Sequence, residues 1–368
     1  MIRTLNSRGG YLGIATLYGV PIEFLRGNQS LDDDFEKVKL LEPFSDPIVR
    51  RGIGEWYDFL ERWAAQLRTL EETKFGAGRP PRALDEKEII TDVRRAPTLA
   101  MKVREYYGMG EEGLFDLYAL LEGAGVLVYR APLGSLETAQ EGVSGAFYNY
   151  TQLGYSVLVN TDTTRGRQTF TLAHEFAHAL YHYPSTGGII SRKGDRDPRE
   201  TFANAFASHF LVPGKALRDR IKEMGGKDQI DHLQVYRRSR YFRVSYAMLL
   251  YRLFNEGVIT PEQLETWKWA KVSEMEKLWK VSPNEHDAPE NDSSLKHSES
   301  RAGGLERYPI SVLKRVQSWI HGSLFLNQED AVKLLDVSVY DLQHLLLNTP
   351  ERAKSSDLQI REVAELPF

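Results

Sequence analysis

The sequence predicts an α+β fold in which helices surround a small twisted sheet. Two kinds of segment lead to this prediction. Residues 125–129 and 155–160 are short apolar runs rich in β-branched side chains, which is typical of strands. Other segments repeat apolar residues at a spacing of three to four, which is typical of amphipathic helices. The chain of 368 residues is long enough for two or three domains, and its 42% hydrophobic content is ordinary for a globular protein.

The first half of the chain supplies most of the predicted helices. Residues 36–74 form an amphipathic helical segment, whose buried stripe is expected to comprise Ile53, Trp56, Tyr57, Leu60, Trp63, Ala64 and Leu67. Residues 76–81 read Gly-Ala-Gly-Arg-Pro-Pro and are predicted to be a linker. Helices are expected at residues 96–107 and 113–122, followed by the strand at residues 125–129.

The strand at residues 155–160 leads through a polar turn at residues 161–165 into a helix at residues 170–182. Thr169 or Thr171 is expected to cap that helix. Its residues 174–178 read His-Glu-Phe-Ala-His, an H-E-x-x-H match. Residues i and i+4 share a helix face, so His174 and His178 can bind one ion with Glu175 beside them. Zinc accepts such imidazole nitrogens at about 2.0–2.1 Å.

A third metal ligand is expected from a second helix. Asp197 precedes Pro198 and Glu200, a pattern typical of a helix start. Glu200 shares a stripe with Ala203, Asn204 and Ala207, whose small side chains would allow close approach of two helices. Glu200 is therefore the predicted third ligand. The alternative is that its carboxylate only stabilises the helix N-terminus.

The downstream residues predict further helices. Arg237, Arg238, Arg240 and Arg243 form a small basic cluster before residues 244–254, which resemble the second half of a helix-turn-helix with Ser245 as the cap. This element either contacts DNA or packs on the core as a helical subdomain. Residues 282–304 are polar and are predicted to be a flexible linker. Helical periodicity returns at residues 308–347.

Composition excludes several classes of protein. The chain has no cysteine, so disulfides and thiolate zinc sites are excluded. No run of about 18 apolar residues is present, and residues 1–10 lack a secretory signal, so a cytoplasmic protein with no membrane partner is expected. The net charge of −4 gives no overall nucleic-acid footprint.

Four blocks together resemble the ImmA/IrrE-type metallopeptidase family. They are Ser144-Gly145, the strand ending at Asn160, residues 167–178 and residues 200–213, in the order typical of that family. The resemblance implies a gluzincin-like zinc peptidase core, with Zn²⁺ or alternatively Mn²⁺ or Fe²⁺ as the cofactor. Members cleave helix-turn-helix repressors of phage, mobile elements and stress regulons.

The resemblance also implies roles for individual residues. Glu175 would be the general base that activates a zinc-bound water. Tyr181, His182 and His209 are the candidates for a donor to the oxyanion or for a supporting role, and the sequence does not choose among them. His182 is either a supporting residue or, as the slightly favoured alternative, a surface histidine, and His209 is off the metal-facing stripe if its helix is regular. A strand resembling the substrate-pairing edge strand of zinc peptidases comprises Ser156, Val157, Leu158, Val159 and Asn160.

Residues 11–25 resemble the end of an Xre-type helix-turn-helix domain whose earlier helices are missing. We therefore expect the DNA-binding partner, and the substrate, to be a separate Xre-type repressor or antitoxin. The expected division is an N-terminal helical region (1–75), a linker (76–95), the peptidase domain (96–225), a helix-turn-helix-like subdomain (226–281), a flexible linker (282–304) and a C-terminal helical module (305–368).

Two functions from different classes remain at this point. The first is a site-specific zinc endopeptidase that inactivates a repressor or antitoxin. The second is a regulatory or toxin-like binding module, or a transcription regulator, that uses the peptidase fold without proteolysis. The joint presence of His174, Glu175, His178 and Glu200 favours the enzyme, because a binding module has no need for that set.

Overall fold

A computed structural model describes most of the chain. The described residues are 37, 40–70, 88–111, 113, 116–136, 142–150, 153–182, 188–192, 197–223, 226, 230–270, 304–322 and 326–347. The helix-turn-helix remnant predicted at residues 11–25, the linker predicted at residues 76–81 and all but the last residue of the linker predicted at residues 282–304 lie outside them.

The described helices surround one sheet, as the α+β prediction requires. In chain order they are α1 (Pro47–Thr69), α2 (Ala96–Tyr106), α3 (Leu117–Gly123), α4 (Arg165–Tyr181), α5 (Pro198–Leu211), α6 (Gly214–Glu223), α7 (His232–Tyr241), α8 (Tyr246–Asn255), α9 (Pro261–Trp267), α10 (Ile310–His321), α11 (Gln328–Leu335) and α12 (Val339–Leu347). No described helix meets the length and hydropathy that a membrane crossing demands.

The sheet has four strands: β1 (Leu127–Ala131), β2 (Val143–Tyr150), β3 (Gly154–Asn160) and β4 (Gly188–Arg192). Their order is β1-β3-β2-β4. β1 runs parallel to β3, whereas β2 is antiparallel to both β3 and β4. β4 therefore lies at one edge of the described sheet and β3 lies inside it.

Successive strand residues face opposite sides of the sheet, and this alternation divides the core in two. Val128, Phe147 and Val157 belong to one apolar cluster, whereas Tyr129, Ala146 and Leu158 belong to the other. A bulge interrupts the alternation at Ser144, because Val143 pairs with Arg192 while Gly145 pairs with the adjacent Ser191.

Helices α4 and α5 cover the first face of the sheet. α4 packs on β2 and β3, and α5 packs on α4 and α2. The helix-turn-helix-like pair α7 and α8 shares this core, since Phe242, Val244 and Leu249 are buried in the same cluster. Gly166 of α4 lies against the backbone of Ser245, where an added Cβ would come within 2.6 Å of the Ser245 nitrogen.

The second face of the sheet is covered by α1 together with α10, α11 and α12. Their shared cluster is rich in aromatic rings: Trp63 stacks on Trp319 at 5.2 Å, and Phe59 stacks on Tyr129 at 5.3 Å. Trp56 Nε1 donates a hydrogen bond to Ser156 Oγ at 2.9 Å, which ties α1 to β3. The buried stripe predicted from the periodicity of α1 is confirmed.

Several predicted boundaries were wrong by two or more residues. The segment predicted to be helical over residues 36–74 is not helical at residues 42–46, and α1 begins at Pro47. α4 begins at Arg165 rather than Phe170, and its cap is Thr164 instead of Thr169 or Thr171. Its first turn carries polar residues, so the apolar period does not reach it. α3 begins at Leu117 after the cap Asp116, and β1 covers Leu127–Ala131, two residues later than predicted.

A candidate metal centre between two helices

The helix α4 places two imidazoles on one face. Thr164 caps the helix by accepting a hydrogen bond from the Arg167 backbone nitrogen. The helix then runs without interruption to Tyr181, so His174 and His178 are one turn apart. Their Nε2 atoms lie 3.1 Å from each other.

The helix α5 brings a carboxylate to the same point. Asp197 accepts a hydrogen bond from the Arg199 backbone nitrogen at 2.8 Å, and Pro198 occupies the first helical position, as the sequence predicts. Glu200 therefore lies in the first turn. Its Oε2 is 3.0 Å from His174 Nε2, and its Oε1 is 3.1 Å from His178 Nε2.

This arrangement has the dimensions of a site for a divalent cation. One ligand atom from each of His174, His178 and Glu200 lies within 4.8 Å of the other two, and all three residues are buried. In a tetrahedral zinc site with bonds of about 2.0–2.1 Å, neighbouring ligand atoms lie about 3.3 Å apart. Atoms with lone pairs repel one another at 3.0–3.1 Å unless a proton or a cation lies between them. The residues therefore fit a metal ion.

The electrostatics of the ligands also suit a cation. Burial acts to raise the pKa of Glu200, but its contacts with His174 and His178 outweigh burial, so the pKa lies well below the usual range. Burial lowers the pKa of His178 to about 3, despite an opposing effect of Glu200. A carboxylate and a neutral imidazole are the forms that bind metals.

Glu175 lies beside these ligands in a space left by a glycine. A Cβ added to Gly145 of β2 would come within 3.2 Å of Glu175 Oε1 and within 2.5 Å of Thr171 Cγ2. Glu175 is fully buried, and neither carboxylate oxygen has a hydrogen bond of good geometry. Burial and the nearby charge of Glu200 raise the pKa of Glu175 well above its usual value, although the neighbouring Ser191 hydroxyl acts to lower it. A buried carboxylate with such a pKa is a candidate general base.

The sequence did not reveal Ser191 of the edge strand β4. Ser191 is buried, and its Oγ lies 3.1 Å from His174 Nε2. It pairs across the sheet with Gly145, so both residues face α4. The run Gly-Ile-Ile-Ser at residues 188–191 is a strand signal that could have indicated this element.

Two further residues contact the two imidazole rings at their Nδ1 atoms. His174 Nδ1 lies 3.0 Å from Asn204 Oδ1, a residue that the sequence suggested only as a small one on α5. His182 Nδ1 lies 2.7 Å from His178 Nδ1, and its Nε2 lies 2.8 Å from the carbonyl oxygen of Ile90. His182 is therefore part of the surroundings of the site and not an exposed histidine.

The other two candidate donors lie elsewhere. The ring of Tyr181 packs edge-on against Phe202 and Phe206 at 5.6 Å, in the aromatic core between α4 and α5. His209 lies off the metal-facing stripe, as its spacing from Glu200 indicates, and its Nδ1 lies 2.9 Å from Arg252 Nη2 of α8. Nine residues after Glu200, a regular helix has turned to its opposite face.

The expectation of a substrate-pairing edge at Ser156, Val157, Leu158, Val159 and Asn160 was also wrong. These residues lie in β3, which is bonded to β1 on one side and to β2 on the other. Both backbone edges of β3 are therefore occupied. The Asn160 side chain bonds the carbonyl oxygens of Gly134 and Val143, each at 2.9 Å, which is a structural role.

The comparison with protein-family models agrees with the geometry. Residues 121–254 match the family model described as Peptidase_M78, IrrE N-terminal-like domain. The matched segment begins in α3 and ends in α8, so it contains the whole sheet and all the residues of the candidate metal centre. A search of curated proteins returned no match.

Proposed function

We propose that this chain is a metal-dependent endopeptidase whose peptidase domain, of the ImmA/IrrE type, includes the residues 121–254 that match the family model. The observation that carries this proposal is the buried group His174, His178 and Glu200, whose ligand atoms converge at 3.0–3.1 Å. Two helices hold these side chains, and Glu175 stands next to them.

The proposed cofactor is Zn²⁺, with Mn²⁺ or Fe²⁺ as alternatives that accept the same imidazole and carboxylate ligands. When bound, such an ion polarises a carbonyl group and makes water more acidic. The ligands need no rearrangement of either helix, since all three atoms already face one point.

Glu175 is the proposed general base. Its carboxylate accepts a proton from the attacking water and delivers it to the leaving amine. Burial and the charge of Glu200 raise the pKa of Glu175. A nearby positive charge lowers the pKa of a carboxyl group, so the metal would return Glu175 to the ionised form that a base requires.

The edge strand β4 is the proposed docking strand for an extended substrate. Its inner edge is bonded to β2, and its outer edge is open within the described sheet. Ser191 on this strand lies 3.1 Å from His174 Nε2, so a peptide added along β4 would pass beside the ligands. Backbone pairing along a strand favours a protein substrate over a small molecule.

The proposed substrate is a helix-turn-helix protein of the Xre type, acting as a repressor or antitoxin. The support is the family resemblance, together with residues 11–25, which resemble the end of such a domain. The neighbouring gene offers a direct test. A small helix-turn-helix protein encoded there, mixed with this chain and zinc, should be cut at one site, and a partner that stays intact would count against this substrate.

The variant Glu175→Gln tests the enzyme against the non-proteolytic binding module. Glutamine keeps the shape of the side chain and cannot act as a base, so we expect cleavage to fall by about 10²–10⁴-fold while zinc binding is retained. Cleavage is followed by mass spectrometry of new N-termini, and zinc by equilibrium dialysis.

Glu262→Gln is the matched control, because Glu262 is an exposed residue in the first turn of α9. It should cut at the wild-type rate. If Glu175→Gln also cuts at that rate, Glu175 is not the base. If neither protein cuts but the biological effect persists, the chain acts as a binding module.

A further inference from the structure

A series of buried polar contacts connects the backbone before α2 to the candidate metal centre. The carbonyl oxygen of Ile90 lies 2.8 Å from His182 Nε2, and His182 Nδ1 lies 2.7 Å from His178 Nδ1. On its other side, the His178 ring presents Nε2 to Glu200 and His174. His178 and His182 are fully buried.

The direction of the hydrogen bonds in this series follows from the chemistry of the Ile90 carbonyl group, where the series begins. A carbonyl oxygen can only accept, so His182 Nε2 must carry the hydrogen. A neutral imidazole has one N–H, and His182 Nδ1 is then an acceptor. The hydrogen between the two rings must therefore belong to His178 Nδ1. This leaves the lone pair of His178 on Nε2, the atom that faces Glu200.

We propose that His182 is a positioning residue that, with the Ile90 carbonyl, fixes His178 in the tautomer that binds the metal. This inference rests on the proposed function for the identity of the ligands. His182 does not touch the metal or the substrate. It acts through His178, since a metal ligand whose second nitrogen is held by a hydrogen bond keeps both its orientation and its tautomer.

The geometry distinguishes this role from two others. The chain reads His174-x-x-x-His178-x-x-x-His182, so His182 could have been a third ligand on α4. Its Nδ1 instead meets Nδ1 of His178, on the side of that ring away from Glu200. A purely packing role would need only the edge contact of His182 with the Phe202 ring at 5.5 Å, and it would leave both nitrogens unused.

Asn204 stands in the same relation to His174. Its Oδ1 lies 3.0 Å from His174 Nδ1 and can only accept, so it holds the hydrogen on Nδ1 and leaves the lone pair on Nε2. The two ligating histidines are thus held by different elements. Asn204 belongs to α5, whereas Ile90 belongs to the segment before α2 and also bonds α4 through its backbone nitrogen and Tyr181 O at 3.3 Å.

Zinc affinity measured by competition with a chromophoric chelator tests the proposal without any substrate. His182→Phe keeps a ring against Phe202 and removes both nitrogens, so we expect affinity to fall by about 10–100-fold. His182→Gln keeps an amide that can accept from His178 Nδ1, and it should restore part of the loss. His209→Phe is the matched control, because His209 is a partly buried histidine that contacts Arg252 and lies outside the metal centre. It should bind zinc within about twofold of wild type.

The wild-type protein provides a second test that needs no substitution. In metal-free protein with ¹⁵N-labelled histidine, long-range ¹H–¹⁵N correlation spectra report which ring nitrogen carries hydrogen. We expect His178 to be protonated on Nδ1 and His182 on Nε2. The proposal is overturned if His178 carries its hydrogen on Nε2, or if His182→Phe is folded by circular dichroism and binds zinc as tightly as the His209→Phe control. Both readouts are independent of proteolysis, so they separate this inference from the peptidase proposal.

Discussion

The two faces of the sheet differ in the polar groups that they bury. On the face covered by α4 and α5, the group His174, Glu175, His178 and Glu200 is buried among apolar residues. On the face covered by α1 and the C-terminal helices, the buried side chains are mainly aromatic and aliphatic, and Trp63 with Trp319 forms one of its ring pairs. Both faces belong to the same strands, because alternate residues point to opposite sides.

This difference between the faces indicates how the protein can remain stable with a buried polar site. A buried polar group without a good hydrogen bond costs about 1–3 kcal/mol, and both oxygens of Glu175 are in this condition. The aromatic face can offset this cost, since burying large rings is among the strongest stabilising contributions in a protein. We therefore expect substitutions on the two faces to separate stability from metal binding.

Trp63→Ala should give the largest loss of stability. Trp63 is fully buried and stacked on Trp319, so the free energy of unfolding should fall by about 3–5 kcal/mol in chemical denaturation. Trp269→Ala is the control, because Trp269 is 77% exposed and its loss should change stability by less than about 0.5 kcal/mol. If Trp63→Ala weakens zinc binding in the folded protein as strongly as a ligand substitution does, the two faces do not separate stability from metal binding.

Zinc should produce an intermediate effect, confined to the polar face. At a zinc concentration about 100 times its Kd, the free energy of unfolding should rise by about 2.7 kcal/mol, and a chelator should reverse the rise. Glu200→Gln removes one proposed ligand, so its stabilisation by zinc should shrink towards zero. Glu262→Gln should respond like wild type. A full response in Glu200→Gln would exclude Glu200 as a ligand.

The hydrogen bond that ties α1 to β3 on the aromatic face should give the smallest effect. Trp56 Nε1 donates to Ser156 Oγ, which in turn donates to the carbonyl oxygen of Leu127 at 3.0 Å. A double-mutant cycle of Trp56→Phe and Ser156→Ala should give a coupling energy of about 1 kcal/mol. Because β3 is an interior strand, neither variant should change KM for a peptide. A changed KM would indicate that Ser156 contacts the substrate after all.

The ligands could be predicted because they depend on local regularity. His174 and His178 are one helical turn apart, and Asp197 with Pro198 marks a helix start that brings Glu200 into the first turn. Helical spacing and capping are properties of neighbouring residues, so a single sequence contains them.

The features that escaped prediction depend on tertiary pairing. The interior position of β3 is set by β1 and β2 together, and no pattern within residues 154–160 specifies a second neighbour. Ser191 reaches the site from β4 and Ile90 from the segment before α2, so their roles are set by the fold and not by helical spacing within α4. The early start of α4 is a local feature that was also missed, because its cap Thr164 precedes a polar first turn in which apolar periodicity has no signal.

The coordination of bound zinc tests the central claim most directly. X-ray absorption at the zinc edge, on wild-type protein loaded with one equivalent, should show two imidazole nitrogens and a carboxylate oxygen, at about 2.0–2.2 Å. The same measurement on His178→Ala should show one imidazole fewer. A wild-type spectrum with one imidazole or none, or a spectrum that the substitution leaves unchanged, would contradict a metal centre formed by His174, His178 and Glu200.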